Sequence, residues 1–132
     1  MPYVDERNVP EVQTRPGIFA RTIADQKLGA VGATVMMVRA APASEVPLHA
    51  HAVEETVVMF EGRIWVEIEE EKRVVGPGET VIIPPNVSHR WGTEGRDDVR
   101  MMRIYSGLEP FKSSTYPGGN PPNLETKNDP AP

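Results

Sequence analysis

Apolar residues in this chain come in short runs, each closed by glycine, proline or a charged cluster, with no sustained helical period. Residues 18–23 follow the turn signal Pro16-Gly17 and read as a strand, and residues 25–29 read as a turn. Residues 33–40 are apolar or β-branched at nearly every position, the pattern of a strand buried on both faces. Pro42 and Pro47 bracket a loop. Beyond it, residues 56–60 form a strand ending at Glu61-Gly62, and residues 63–68 alternate polar and apolar as a half-buried strand does. A charged hairpin tip at 69–72 leads to 73–75, and Gly76-Pro77-Gly78 turns the chain into the apolar strand 80–83, stopped by Pro84-Pro85-Asn86. His89-Arg90-Trp91 precedes a loop over 92–98, and 99–105 is the last clear strand. Many short strands at turn-punctuated intervals predict an all-β sandwich or barrel.

Composition narrows this picture. A chain of 132 residues forms one domain with a core of its own. Residues 1–16 read as an N-terminal arm or edge strand, 17–111 as the barrel, and 112–132, rich in Pro, Gly, Asn and Ser, as an extended or disordered tail able to wrap a partner subunit. A net charge of −5 without a basic stripe argues against nucleic acid. The absence of cysteine removes disulfides, thiolate ligands and a cysteine nucleophile. The N-terminus lacks the basic-then-apolar order of a signal peptide and no apolar run is long enough to span a bilayer, so the expectation is a cytoplasmic protein without membrane contact.

Candidate chemistry concentrates in Pro47 to Glu55. Two of the three histidines, His49 and His51, stand one residue apart, and on an extended strand such positions share a face. Glu55 falls on that face as well if the strand runs on unbroken. Two imidazoles and a carboxylate aimed at one point make a metal site, with His89 the candidate to complete it. Glu54 points the other way and reads as solvated. The acidic run 67–71 lacks the spaced oxygen ladder of a calcium loop and reads as a solvated tip.

The order of these features resembles the cupin superfamily. Its first motif is Gly, five residues, His-x-His, three or four residues, Glu, six residues, Gly; His49, His51, Glu55 and Gly62 keep that spacing, and Ala43 stands at the leading glycine. In the second motif Gly78, Pro84 and His89 match, while Asn86 replaces a glycine and Thr93 the final asparagine. Asn also tolerates positive φ. The resemblance covers about residues 17–107 and implies a double-stranded β-helix, the jelly-roll barrel of cupins, as a homodimer with one divalent transition metal per chain held by His49, His51, Glu55 and His89. Such a donor set suits Fe, Mn, Ni, Co, Cu or Zn. Protons compete for the imidazoles, so metal should be lost as pH falls through the histidine range.

A small oxygen-rich molecule is the expected partner, with dioxygenase-like oxidation first among the reactions. A metal-dependent isomerase, cyclase, lyase or decarboxylase using the ion as Lewis acid is the alternative, and a non-enzymatic binding barrel the third reading. Glu55 is the one candidate base. Trp91 shares the face of His89, and Val57 and Met59 that of Glu55, so all three are candidate pocket residues, with plain core the better reading for Val57 and Met59. Arg103 and Tyr105 join them as candidates; like Arg39, they lie on strands whose facing the pattern leaves open.

Overall fold

A computed structural model describes residues 3–125. Apart from one 3₁₀ turn at Glu6–Asn8, its regular elements are ten strands: β1 (Val12–Arg15), β2 (Ile18–Ala24), β3 (Thr34–Ala40), β4 (Glu45–His49), β5 (Glu55–Glu61), β6 (Arg63–Ile68), β7 (Glu71–Val75), β8 (Thr80–Ile83), β9 (His89–Glu94) and β10 (Val99–Tyr105). They form two antiparallel sheets, ordered β1-β2-β3-β10-β5-β8 and β4-β9-β6-β7. This is the jelly-roll architecture that the resemblance implies, within the all-β sandwich or barrel that the strand pattern predicts.

The core fills the space between the sheets. Met36, Val38, Val57, Met59 and Met101 enter it from the six-stranded sheet, and Val46, Ile64, Val66 and Trp91 from the four-stranded one. Period-two alternation makes this possible: on β10 every second side chain, Val99, Met101, Arg103 and Tyr105, is buried. β9 runs further than the sequence pattern suggests, through Gly92 to Glu94. Gly92 reads as a loop residue but lies beneath the Trp65 indole, where a Cβ would come within 2.6 Å of the ring. Close packing, not a turn, calls for glycine there.

Of the three departures from the motifs, the two at glycine positions keep the backbone that glycine would take. Ala43 has φ 62° and Asn86 φ 64°, beside Gly62 at 72° and Gly78 at 87°. Asn enters this left-handed region at low cost; for Ala the cost is about 1 kcal/mol.

The tail is ordered on its own barrel as far as Glu125; residues 126–132 lie outside the described residues. Thr115 forms a two-way bridge with Ala50, the Gly118 amide donates to the Leu48 carbonyl, and the Asn123 amide donates to the Thr14 carbonyl. Gly118 runs so close to β4 that a Cβ would lie 2.7 Å from the Leu48 nitrogen. The segment therefore straps the end of β4 and reaches β1, the edge strand of the larger sheet.

Candidate metal centre

β4 carries Pro47 because it is an edge strand, where a missing amide donor leaves no ladder bond unmade. Its pairing with β9 slips between Val46 and His49, and His49 then stands opposite His89. The strand ends there. Ala50 pairs with the tail, residues 51–54 cross between the sheets, and Glu55 opens β5 in the other sheet. The unbroken strand expected from His49 to Glu55 does not exist. Glu55 meets the histidines because the chain changes sheet, not because of a two-residue period.

His49, His51, Glu55 and His89 are all buried, and one ligand atom from each lies within 4.8 Å of the others. Their outer atoms are spoken for. His49 Nδ1 donates to the Pro47 carbonyl at 2.8 Å and His89 Nδ1 to the Val87 carbonyl at 2.9 Å. His51 Nδ1 meets Ser114 Oγ at 2.5 Å, and that hydroxyl spends its one proton on the Pro110 carbonyl at 2.6 Å, so it accepts from His51. All three rings are thus fixed as Nδ1–H tautomers with the Nε2 lone pair turned inward. Among the described residues, His51 Nε2, His89 Nε2 and Glu55 Oε1 have no hydrogen-bond partner although fully buried. Two orphaned imidazole nitrogens and one orphaned carboxylate oxygen, with the His49 ring beside them, fit a divalent transition ion.

Glu55 is also held from behind. Its Oε2 accepts from Arg103 Nη1 at 2.5 Å, and the Arg103 guanidinium lies 4.4 Å from the Trp91 ring centroid. Burial alone would raise the Glu55 pKa, but Arg103, His89 and His51 together outweigh it and keep the carboxyl well below its usual range. Burial lowers His49 to about 3, with the neighbouring His89 adding to it. Burial lowers His51 to about 4, against the pull of Glu55. Tyr105 is raised well above its ordinary value by burial and by the Glu55 charge.

These shifts move the pH window expected from the sequence. An unfolded chain takes up protons on both histidines near pH 6.5, whereas the folded metal-free protein refuses them until near 4 and 3. The contribution to stability is therefore complete above pH 6.5 and is lost as pH falls from there toward 3. Denaturant midpoints of metal-free protein should drop between pH 7 and pH 4.5; a flat profile would count against neutral buried rings. For the same reason, protons compete with metal at His49 and His51 at lower pH than at free imidazoles.

A cavity opens beside the cluster. Its walls include His49, His51, Trp91, Arg103 and Tyr105. Val57 and Met59 share the Glu55 face but pack into the core and do not line the cavity. Glu54 is exposed, and Arg39 points outward to Glu11 at 2.7 Å. Sequence reasoning missed the tail side of the site. Phe111 packs edge-on against His51 with ring centroids 5.8 Å apart, Tyr116 stacks on His49 at 6.0 Å, and both line the cavity with Pro122 and Leu124. Phe111 at the barrel's end and Tyr116 in the polar tail were the only signal.

Ser114 acts on the centre through His51. Ser114→Ala removes the acceptor that fixes the tautomer, and cobalt(II) affinity should fall about ten- to a hundredfold. Imidazole ¹⁵N shifts of the metal-free variant should show His51 leaving the pure Nδ1–H form, and Ser114→Thr should restore it. Unchanged ¹⁵N shifts would remove Ser114 from this role.

A family described as Cupin domain matches residues 36–105, a span that contains all four clustered residues. Among solved structures, the polyketide cyclase RemF from Streptomyces resistomycificus is 21% identical with a TM-score of 0.73, covering 98% of this chain and 89% of that one. KdgF from Halomonas sp. is 19% identical with a TM-score of 0.71, over 80% of this chain and 92% of its own. Oxalate decarboxylase from Bacillus subtilis is 16% identical with a TM-score of 0.73, over 87% of this chain but 31% of the longer enzyme. At these identities the likeness is one of fold. No curated protein sequence matches the chain. Among the described residues no helix is long and apolar enough to cross a membrane.

Proposed function

This chain belongs to the cupin family, and from that premise we propose that it is a metal-dependent enzyme acting on a small, oxygen-rich molecule, with Lewis-acid chemistry of the isomerase, cyclase, lyase or decarboxylase kind. The observation that carries this reading is the buried group of three imidazoles and one carboxylate, its inward atoms unpartnered, beside a cavity. A divalent ion held there by His49, His51, Glu55 and His89 would supply Lewis-acid polarisation of a substrate oxygen.

The chain's own residues have separable parts. His49, His51 and His89 present fixed lone pairs, and Glu55 presents Oε1. Arg103 keeps Glu55 ionised and oriented, which suits a ligand and makes it a poor base. Tyr105, whose phenol holds its proton at neutral pH, is a hydrogen-bond donor at the cavity wall. Trp91 shields the Arg103–Glu55 pair and excludes water from it.

Solved structures named as a cyclase and a decarboxylase share this fold, and the likeness to the cyclase extends over 98% of the chain. That supports placing Lewis-acid chemistry ahead of oxidation. Dioxygenase-like oxidation is the second reading, favoured by a donor set that leaves a divalent ion room for further ligands. Elemental analysis and an oxygen electrode separate the two. Protein purified from metal-replete medium should hold about one divalent ion per chain, and should turn over enolisable diketones or β-keto acids without consuming oxygen. Oxygen uptake matching turnover would hand the protein to oxidation. Bound ligand without turnover would make it a non-enzymatic barrel, and no bound metal would sink both enzyme readings.

A further inference from the structure

Apart from the metal cluster with its Arg103 and Tyr105, the cavity has a second polar region, formed by Arg15 and Tyr116. Arg15 ends β1, is half-buried, and makes no ion pair or side-chain hydrogen bond among the described residues. The other arginine on the cavity wall, Arg103, has its charge paired with Glu55, and only its Nε is unpartnered. The Tyr116 hydroxyl is buried, also without a partner, and lies near enough to Arg15 for their charges to interact. A guanidinium stripped of part of its water without gaining a carboxylate is costly, and so is an unmatched phenol. Both offer donors to the same space. The walls between are apolar, among them Ile18, Met36, Val38 and Leu124.

We propose that the cavity takes a small carboxylate with an apolar body, its charge received by Arg15 and Tyr116 and its reactive oxygen turned toward the cluster. This rests on the reading of the cluster as a metal site. A neutral molecule would leave Arg15 uncompensated. A sugar would set its hydroxyls against walls that offer them no partner. A phosphate dianion asks for more than the one unpaired cation that the described residues place on this side of the cavity. Because Arg15 stands on the edge strand and Tyr116 on the tail, an anion held by both also ties the tail to the barrel.

Benzoate and its neutral isostere benzamide are the probes, titrated into the full-length cobalt(II)-loaded protein by NMR with the visible cobalt spectrum read alongside. Benzoate should bind about ten- to a hundredfold tighter than benzamide. Arg15→Met should erase that preference while leaving cobalt affinity and benzamide binding unchanged, Arg15→Lys should keep part of it, and Tyr116→Phe should lower it a few-fold. The preference surviving Arg15→Met, or benzoate shifting the cobalt spectrum equally in both proteins, would overturn the proposal, as would equal affinity for the two probes in the wild type. If cobalt fails to bind at all, the metal reading falls; the same benzoate–benzamide comparison on metal-free protein then still decides whether Arg15 receives an anion.

Discussion

His51→Ala should weaken divalent-metal binding by about two to three orders of magnitude and leave the β-fold in place. Four protein ligands hold a divalent ion with about 10–16 kcal/mol of apparent binding energy at structural sites, so losing one removes about a quarter, or two to three orders of magnitude in affinity. The fold survives because His51 lies outside the strands, in the crossing between sheets, and no ladder bond runs through its side chain. The readout is twofold. Wild-type protein should gain thermal stability on adding zinc or cobalt, since an ion that binds only the folded state stabilises it by mass action. At saturating metal the variant should gain about 3–4 kcal/mol less, with an unchanged far-ultraviolet circular dichroism spectrum. Wild-type metal affinity retained in the variant would overturn the ligand assignment.

Arg103→Met is expected to cost more in the folded protein than any surface substitution. The guanidinium is 5% exposed and its partner Glu55 1% exposed. Breaking a buried pair by deleting one member leaves the other charge without compensation, at about 3–5 kcal/mol. In the metal-free variant, Glu55 loses the cation that holds its pKa down, and burial then drives it toward the neutral form. The loss should therefore be largest near neutral pH and shrink as the medium turns acid, opposite in sign to the histidine effect. Added divalent metal should recover part of it by supplying positive charge beside Glu55. Urea midpoints at neutral and acid pH, with and without zinc, separate these contributions. A metal-free loss below about 1 kcal/mol would show that the pair is not the anchor its burial indicates.

The histidines were legible because their spacing to Glu55, Gly62 and Gly78 is a property of the sequence alone. The turns were legible too, even at Ala43 and Asn86, whose positive φ preserves the glycine geometry with other residues. The route by which Glu55 reaches the site was not, since periodicity says nothing about a chain that leaves one sheet for another. Arg103 was hidden differently. On β10, Met101 faces inward and Met102 and Ile104 outward, so apolar residues on both faces give no inside. Ser114 and Tyr116 were hidden most completely. A polar, proline-rich stretch carries no pattern of its own, and its order comes from backbone bonds to Ala50, Leu48 and Thr14, far away along the chain.

That docking gives the centre a timetable. During synthesis His49, His51, Glu55 and His89 leave the ribosome well before Ser114 and Tyr116, so an incomplete chain carries the ligands without the hydroxyl that orients His51 or the ring that stacks on His49. An ion captured at that stage meets loosely held imidazoles and exchanges readily. Durable loading of an ion at the cluster would therefore wait until the tail closes against β1 and β4.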